Sequence, residues 1–221
     1  MNILITAGGT VERIDSVRGI TNFSTGALGS LIAAVFSDNA NTEKIFYVCG
    51  KSAIKPQSDK TEIIEIESAA DLEAALRKIL NNTKIDAIIH SMAVSDYRVK
   101  RVESVSMPEL SAQTGGKLSS DADDLVLYLE RTPKIISLFS ELSPNSTLVG
   151  FKLLDNVSLE TLIDRGFEVL QQNGCTFVLA NDLQSIRGGK HVGYLINKDM
   201  NYTKHESKQD IANAIVSAVM R

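Results

Sequence analysis

The 221-residue chain has no tryptophan, only two cysteines, three histidines and four prolines, and its aromatic content is 5%. Cys49 ends one apolar run and Cys175 precedes another, with no CxxC spacing and no histidine nearby, so neither a redox pair nor a thiol-bound metal is expected. Both read as small core residues. His90, His191 and His205 stand far apart and suggest no catalytic set, and His90, closing an apolar run, reads as structural. Basic clusters and interleaved aromatic platforms are also missing, and the net charge is -4. That balance argues against a nucleic-acid groove. No apolar run approaches the roughly 18 residues of a membrane span, and the N-terminus lacks the basic-then-apolar order of a signal peptide. A cytoplasmic protein without membrane contact is the expectation.

What is present is a chain 43% hydrophobic and 23% charged, long enough to bury a full core. One domain over residues 1–221 is expected. Apolar β-rich runs fall at 3–6, 44–49, 62–66, 85–90, 148–151, 177–180 and 192–196, most of them separated by segments of helical period. Ala69, Leu72, Leu76 and Ile79 share one face of a helix over 68–80, and further helices are expected at 159–172 and 209–220. Ser68, and Asp155 or Ser158, are plausible N-caps. Alternation of this kind predicts an α/β fold with a single doubly wound, mostly parallel, Rossmann-like sheet flanked by helices. Ligands then collect outside the carboxyl ends of the strands.

Residues 98–122 break the pattern, being too long and too polar for an ordinary connection. They are expected to form a flap or arm insertion at the active site, with Gly115-Gly116 ahead of Lys117.

The most informative stretch is 3–29, ILITAGGTVERIDSVRGITNFSTGALG. A buried strand ends in Gly8-Gly9, and Ser24-Thr25-Gly26-Ala27-Leu28-Gly29 opens a helix whose first amides lack partners. Two such turns beside one strand end make a phosphate cradle. A dinucleotide fingerprint and a P-loop are both absent, which sets aside a dehydrogenase. Arg18 can fork onto a phosphate or carboxylate, and the Asn22 amide can donate to an oxyanion. Spacing alone leaves them equally readable as a surface Arg and an Asn in a turn. Asp96, after the small residues Ser91 to Ser95, either receives ligand donors or caps a helix, and Asn181-Asp182 carries the same ambiguity. Lys117 can bring a cation onto phosphate, or be an ordinary exposed lysine.

In order, ITAGGT (5–10), VRGITNFSTGALG (17–29), AVSDY (93–97) with MPE (107–109) and GGKLSS (115–120), VGFKL (149–153) and VLAND (178–182) resemble the phosphopantothenate–cysteine ligase family, also called phosphopantothenoylcysteine synthetases. The resemblance implies a place in coenzyme A biosynthesis. A nucleoside triphosphate activates the carboxylate of 4′-phosphopantothenate as an acyl nucleotide with release of pyrophosphate, and the amine of L-cysteine then displaces the nucleoside monophosphate. It implies that Gly8, Ser24, Gly26 and Gly29 cradle the triphosphate, that Phe151 and Asn181 hold base and ribose, and that Ala93 and Asp96 hold the pantothenate moiety. It further implies that Asn22 stabilises the acyl nucleotide, that Arg18 reaches the substrate phosphate across a homodimer interface, and that Lys117 is the flap lysine. The stand-alone bacterial form is the best match, which implies CTP, with ATP as the alternative, together with Mg²⁺ and functional association with a separate phosphopantothenoylcysteine decarboxylase. Met92 and Leu154-Asp155 depart from the common pattern, bearing on the pantothenate pocket and the nucleotide side respectively. The competing reading is a non-catalytic nucleotide- or flavin-binding regulatory partner of the same fold.

Overall fold

The computed structural model describes residues 1–112, 116–187 and 190–221. In chain order it contains β1 (Asn2–Ala7), β2 (Val11–Arg13), β3 (Gly19–Thr21), α1 (Ala27–Asp38), β4 (Lys44–Gly50), β5 (Thr61–Ile66), α2 (Ala69–Asn82), β6 (Ala87–His90) and β7 (Tyr97–Glu103). After a 3-10 turn at Pro108–Ala112 come β8 (Val126–Arg131), α3 (Ser137–Leu142), β9 (Thr147–Leu154), α4 (Leu159–Asn173), β10 (Phe177–Asp182), α5 (Leu183–Arg187), β11 (Gly193–Asn197), β12 (Tyr202–His205) and α6 (Lys208–Val219).

The central sheet has eight strands in the order β12-β11-β10-β9-β6-β1-β4-β5. The six strands from β5 to β10 of that order pair in parallel, with Ile3 opposite Ile45 on one side and Ala87 on the other. The centre is covered on both faces, so β1 and β4 are buried almost throughout instead of alternating. Helices α1 and α6 pack on one face around Ile5, Phe36, Tyr47 and Ile215. On the other, α2, α3 and α4 cover Leu4, Val48, Ile88 and Val178. Cys49 is fully buried on the first face and Cys175 on the second, and burial pushes their thiols up to about 11 and 12.

Local chemistry sets the helix ends. Ser68 and Asp71 form a capping box at α2, and Ser158, rather than Asp155, caps α4, which ends at Gly174 with φ 65°.

The run at 192–196 forms a strand as expected, β11, and supplies with β12 the antiparallel part of the mostly parallel sheet, lying antiparallel to β10. Residues 183–192 are too few to carry the chain back across the sheet, as a parallel return requires a dozen or more. The insertion is not confined to 98–122, for β7 pairs antiparallel with β8 to make a two-stranded ribbon reaching Arg131. Its residues alternate poorly in polarity because neither face of the ribbon packs on the core, which hid it from the sequence pattern. Gly115 lies outside the described residues.

Candidate active site

Strand β1 lies between β4 and β6, and the chain leaves it through α1 on one face and returns to β6 through α2 on the other. At this switch point the connections on either side of the two strands run to opposite faces of the sheet, and a crevice lies beyond the strand ends. The loops following β1 and β6 are tied across it. Ala93 N–H donates to the Gly8 carbonyl at 2.8 Å, Thr10 N–H donates to the Ala93 carbonyl at 3.3 Å, and Ser95 N–H donates to Thr10 Oγ1 at 2.9 Å.

The two glycine turns also meet. Gly8 and Gly26 have φ of 80° and 71°, and a Cβ on Gly26 would lie 3.1 Å from the Gly8 nitrogen. A Cβ on Gly29 would approach Ala7 Cβ to 2.6 Å and Ser91 Oγ to 2.9 Å, so α1 sits against β1 only because that position is bare. Gly26 begins α1 with no side-chain cap and no acid in the first turn, and Ser24 is half-buried just ahead of it. Apart from the Ala27 N–H, which donates to Thr25 Oγ1 at 3.4 Å, the first amides and the partial positive charge of the helix are therefore left for a ligand in this crevice. Such a nest accepts anionic oxygens.

Asn22 joins the same group. Its side chain is exposed, and Nδ2 donates to the Val94 carbonyl at 3.2 Å.

Beyond the loop after β6 opens a pocket of about 700 Å³. Asp96 and Phe151 line it, as do both departures from the common pattern that bear side chains toward it, Met92 and Leu154. Lys134 Nζ stands 4.0 Å from Asp96 Oδ1. Asn181 is buried at the end of β10, one strand further along, in register with Leu153. The far wall comes from α4 through Thr161, Arg165, Glu168 and Gln172, with Arg165 and Glu168 paired at 2.7 Å. These four were not singled out in the sequence, although their spacing of four, three and four marks one helix face.

His90 also lines the pocket. Its Nδ1 lies 2.8 Å from Thr6 Oγ1, its ring meets Phe139 edge-on at 5.1 Å, and burial lowers its pKa to about 4, so it is neutral near pH 7.

Arg18 and Lys117 gather elsewhere. Arg18 Nε and Nη2 fork onto Asp15 Oδ2 at 2.9 and 2.6 Å, and Nη2 donates to the Leu118 carbonyl at 3.1 Å. Lys117, next to that residue, is exposed. The guanidinium and three backbone N–H groups hold the Asp15 carboxyl well below the usual carboxylate range. Among the described residues no hydrogen bond or ion pair links Arg18 or Lys117 to the pocket.

The chain is similar to known proteins along its whole length. It is 32% identical over 197 residues to the coenzyme A biosynthesis bifunctional protein CoaBC of Thermococcus kodakarensis, a match covering 89% of this chain and 45% of that protein. The chain thus spans less than half of that relative. Among solved structures, the DNA/pantothenate metabolism flavoprotein of Streptococcus pneumoniae superposes with a TM-score of 0.87 at 34% identity, covering 100% of this chain and 98% of the other. The C-terminal domain of the CoaBC bifunctional protein superposes with a TM-score of 0.74 at 27% identity, covering 99% and 93%. The pattern of the DNA/pantothenate metabolism flavoprotein C-terminal domain matches residues 1–221, all five segments described above included, and the chain belongs to that family.

Proposed function

We propose that this chain ligates 4′-phosphopantothenate to L-cysteine in coenzyme A biosynthesis, through an acyl-nucleotidyl intermediate formed from CTP. The observation that carries the reading is the meeting of two glycine turns and Asn22 with the AVSDY loop at the switch point of the sheet. The family membership of the whole chain supports it.

The chemistry asks for positioning and charge neutralisation more than for a nucleophile of the protein's own. In the first step a carboxylate oxygen of phosphopantothenate attacks the α-phosphorus and pyrophosphate leaves. In the second the free amine of cysteine attacks the acyl carbon, the monophosphate departs with the bonding pair, and the amine proton passes to solvent. Gly8, Ser24, Gly26 and Gly29 take the phosphates on backbone amides. Phe151 and Asn181 hold base and ribose, and Ala93 and Asp96 the pantothenate moiety, with the pocket along α4 giving room of the right scale. Asn22 Nδ2 needs to give up only one bond, to Val94, to serve the acyl nucleotide. Arg18 and Lys117 supply cations for the substrate phosphate and the leaving group.

No group of three or more His, Cys, Asp or Glu suited to a metal occurs among the described residues. The described residues offer no cage for Mg²⁺, which is accordingly proposed to enter on the nucleotide phosphates, with no step assigned to it. A homodimer completes the proposal. Phe23, beside Asn22, is fully exposed, and Val17 and Val105 are largely exposed, apolar side chains suited to cover by a second copy. Association with a separate phosphopantothenoylcysteine decarboxylase, which would consume the product, follows from the same reading.

Pyrophosphate release tests the proposal, with CTP and ATP run in parallel in the presence of Mg²⁺, phosphopantothenate and cysteine. Release is expected with CTP and is abolished when phosphopantothenate is omitted. No release with either nucleotide would refute the ligase.

A further inference from the structure

Asp15 stands in a turn whose next two residues, Ser16 and Val17, are exposed, yet its own side chain is 1% exposed. Its Oδ1 accepts the N–H groups of Val17 at 2.8 Å and Arg18 at 2.7 Å. Its Oδ2 accepts Nε and Nη2 of Arg18 and, from far along the chain, the N–H of Leu118 at 3.2 Å. Five donors saturate the lone pairs of one carboxylate. The traffic is reciprocal, because Arg18 Nη2 donates to the Leu118 carbonyl at 3.1 Å and Ser16 N–H donates to the Gly116 carbonyl at 3.1 Å. Lys117 is thus held between two anchored neighbours, Leu118 being buried and Lys117 itself exposed.

We infer that Asp15 is a positioning residue for the proposed ligation: its carboxylate fixes the Arg18 guanidinium in one orientation and pins residues 116–118 beside it, so that Arg18 and Lys117 present their charges together. The inference rests on the ligase reading for its kinetic consequences, whereas the pinning itself does not. Geometry decides against a purely electrostatic role. A carboxylate beside a site for a phosphate repels that phosphate, so on charge alone the position is unfavourable for substrate binding. What it offers in return is orientation. The fork occupies Nε and Nη2 and leaves Nη1 without a partner among the described residues, available to a ligand in a fixed direction.

The two effects have opposite signs, which makes them separable. In the full-length protein, Asp15→Asn keeps the size and removes the charge. Hydrogen exchange in residues 116–120 is expected to rise about tenfold, with β1 and β4 unchanged. In pyrophosphate release, KM for phosphopantothenate is expected to rise about fivefold and kcat to fall, with partial recovery in Asp15→Glu. Adding Lys117→Ala to Asp15→Asn should cost less than it does in the wild type, because the lysine is already misplaced. Unchanged exchange at 116–120, a lowered KM, or full additivity with Lys117→Ala overturns the inference. If the wild type releases no pyrophosphate, the ligase reading fails while exchange still decides the pinning. Should Asp15→Asn fail to fold, Ser16→Pro removes the N–H given to Gly116, with Ser16→Ala as the control for the lost hydroxyl. Faster exchange at 116–120 with lower kcat then supports the inference, and wild-type kcat with a loosened segment overturns it.

Discussion

The N–H of Ala93 donates to the Gly8 carbonyl at 2.8 Å, and this bond joins the turn after β1 to the loop after β6 at the point where the sheet changes direction. Gly9 and Ala93 also form an isolated parallel bridge, so the two loops behave as a short continuation of the sheet. The proposed phosphate cradle and Asn22 hang on this junction: Gly26 packs on Gly8, and Asn22 reaches Val94.

Gly8→Ala tests the junction through stability. The new methyl would lie 2.7 Å from Ala53 Cβ at a φ of 80°, so strain and overlap together should cost about 2–4 kcal/mol. Gly174→Ala provides the control, since φ there is 65° with nothing within 4 Å, and should cost about 1 kcal/mol. Thermal melts of both variants and of Gly8→Ala with Ala53→Gly measure the difference. The double variant should recover the overlap but not the strain.

Asn22→Ala should leave the melting temperature nearly unchanged, because the side chain is exposed and makes one long hydrogen bond. Formation or use of the acyl nucleotide should slow about 10²-fold in single-turnover experiments, as for a lost oxyanion donor. Wild-type turnover would remove Asn22 from the mechanism.

Lys117→Ala should lower kcat while the melting curve stays in place, since an exposed side chain with no bond to another described residue contributes little to folding. A large fall in stability would instead mark a structural lysine.

His90 makes the stability depend on pH in a defined window. Its folded pKa is lowered from 6.5 to about 4 by burial, so below pH 6.5 the unfolded chain takes up a proton that the folded protein refuses. Stability from this group is complete above pH 6.5 and is lost as pH falls toward 4, by about 3 kcal/mol at most. Denaturant titrations at pH 7 and pH 5 should show the loss, and His90→Gln should lose less over the same interval. Equal losses would show that His90 is not the group responsible.

Much of the scaffold was legible in the sequence because its signals are local. The runs at 3–6, 44–49 and 85–90 carry unbroken apolar stretches at 3–5, 45–49 and 87–89, and they became β1, β4 and β6 because strands buried on both faces need no alternation. Ser68 was readable as a cap from its own neighbours. The β7–β8 ribbon was not, since an arm with both faces away from the core leaves no periodic trace. Likewise the stripe from Thr161 to Gln172 has a readable spacing, but nothing local says that a pocket, rather than solvent, lies over it.

The amino-acid order by itself determined the alternating α/β plan, the glycine turns at Gly8 and Gly26, and the residues Arg18, Asn22, Asp96 and Lys117 as candidates, because side-chain type and backbone freedom are properties of single positions. Only the tertiary structure decided which candidates meet. It set Asn22 against Val94, gave Asp96 and Phe151 one pocket, and gathered Arg18 and Lys117 around Asp15, a residue with no distinguishing local signal. The reason is that an ionised carboxylate gains its role from the donors that surround it, and those of Asp15 come from both ends of a long stretch of chain that only folding brings together.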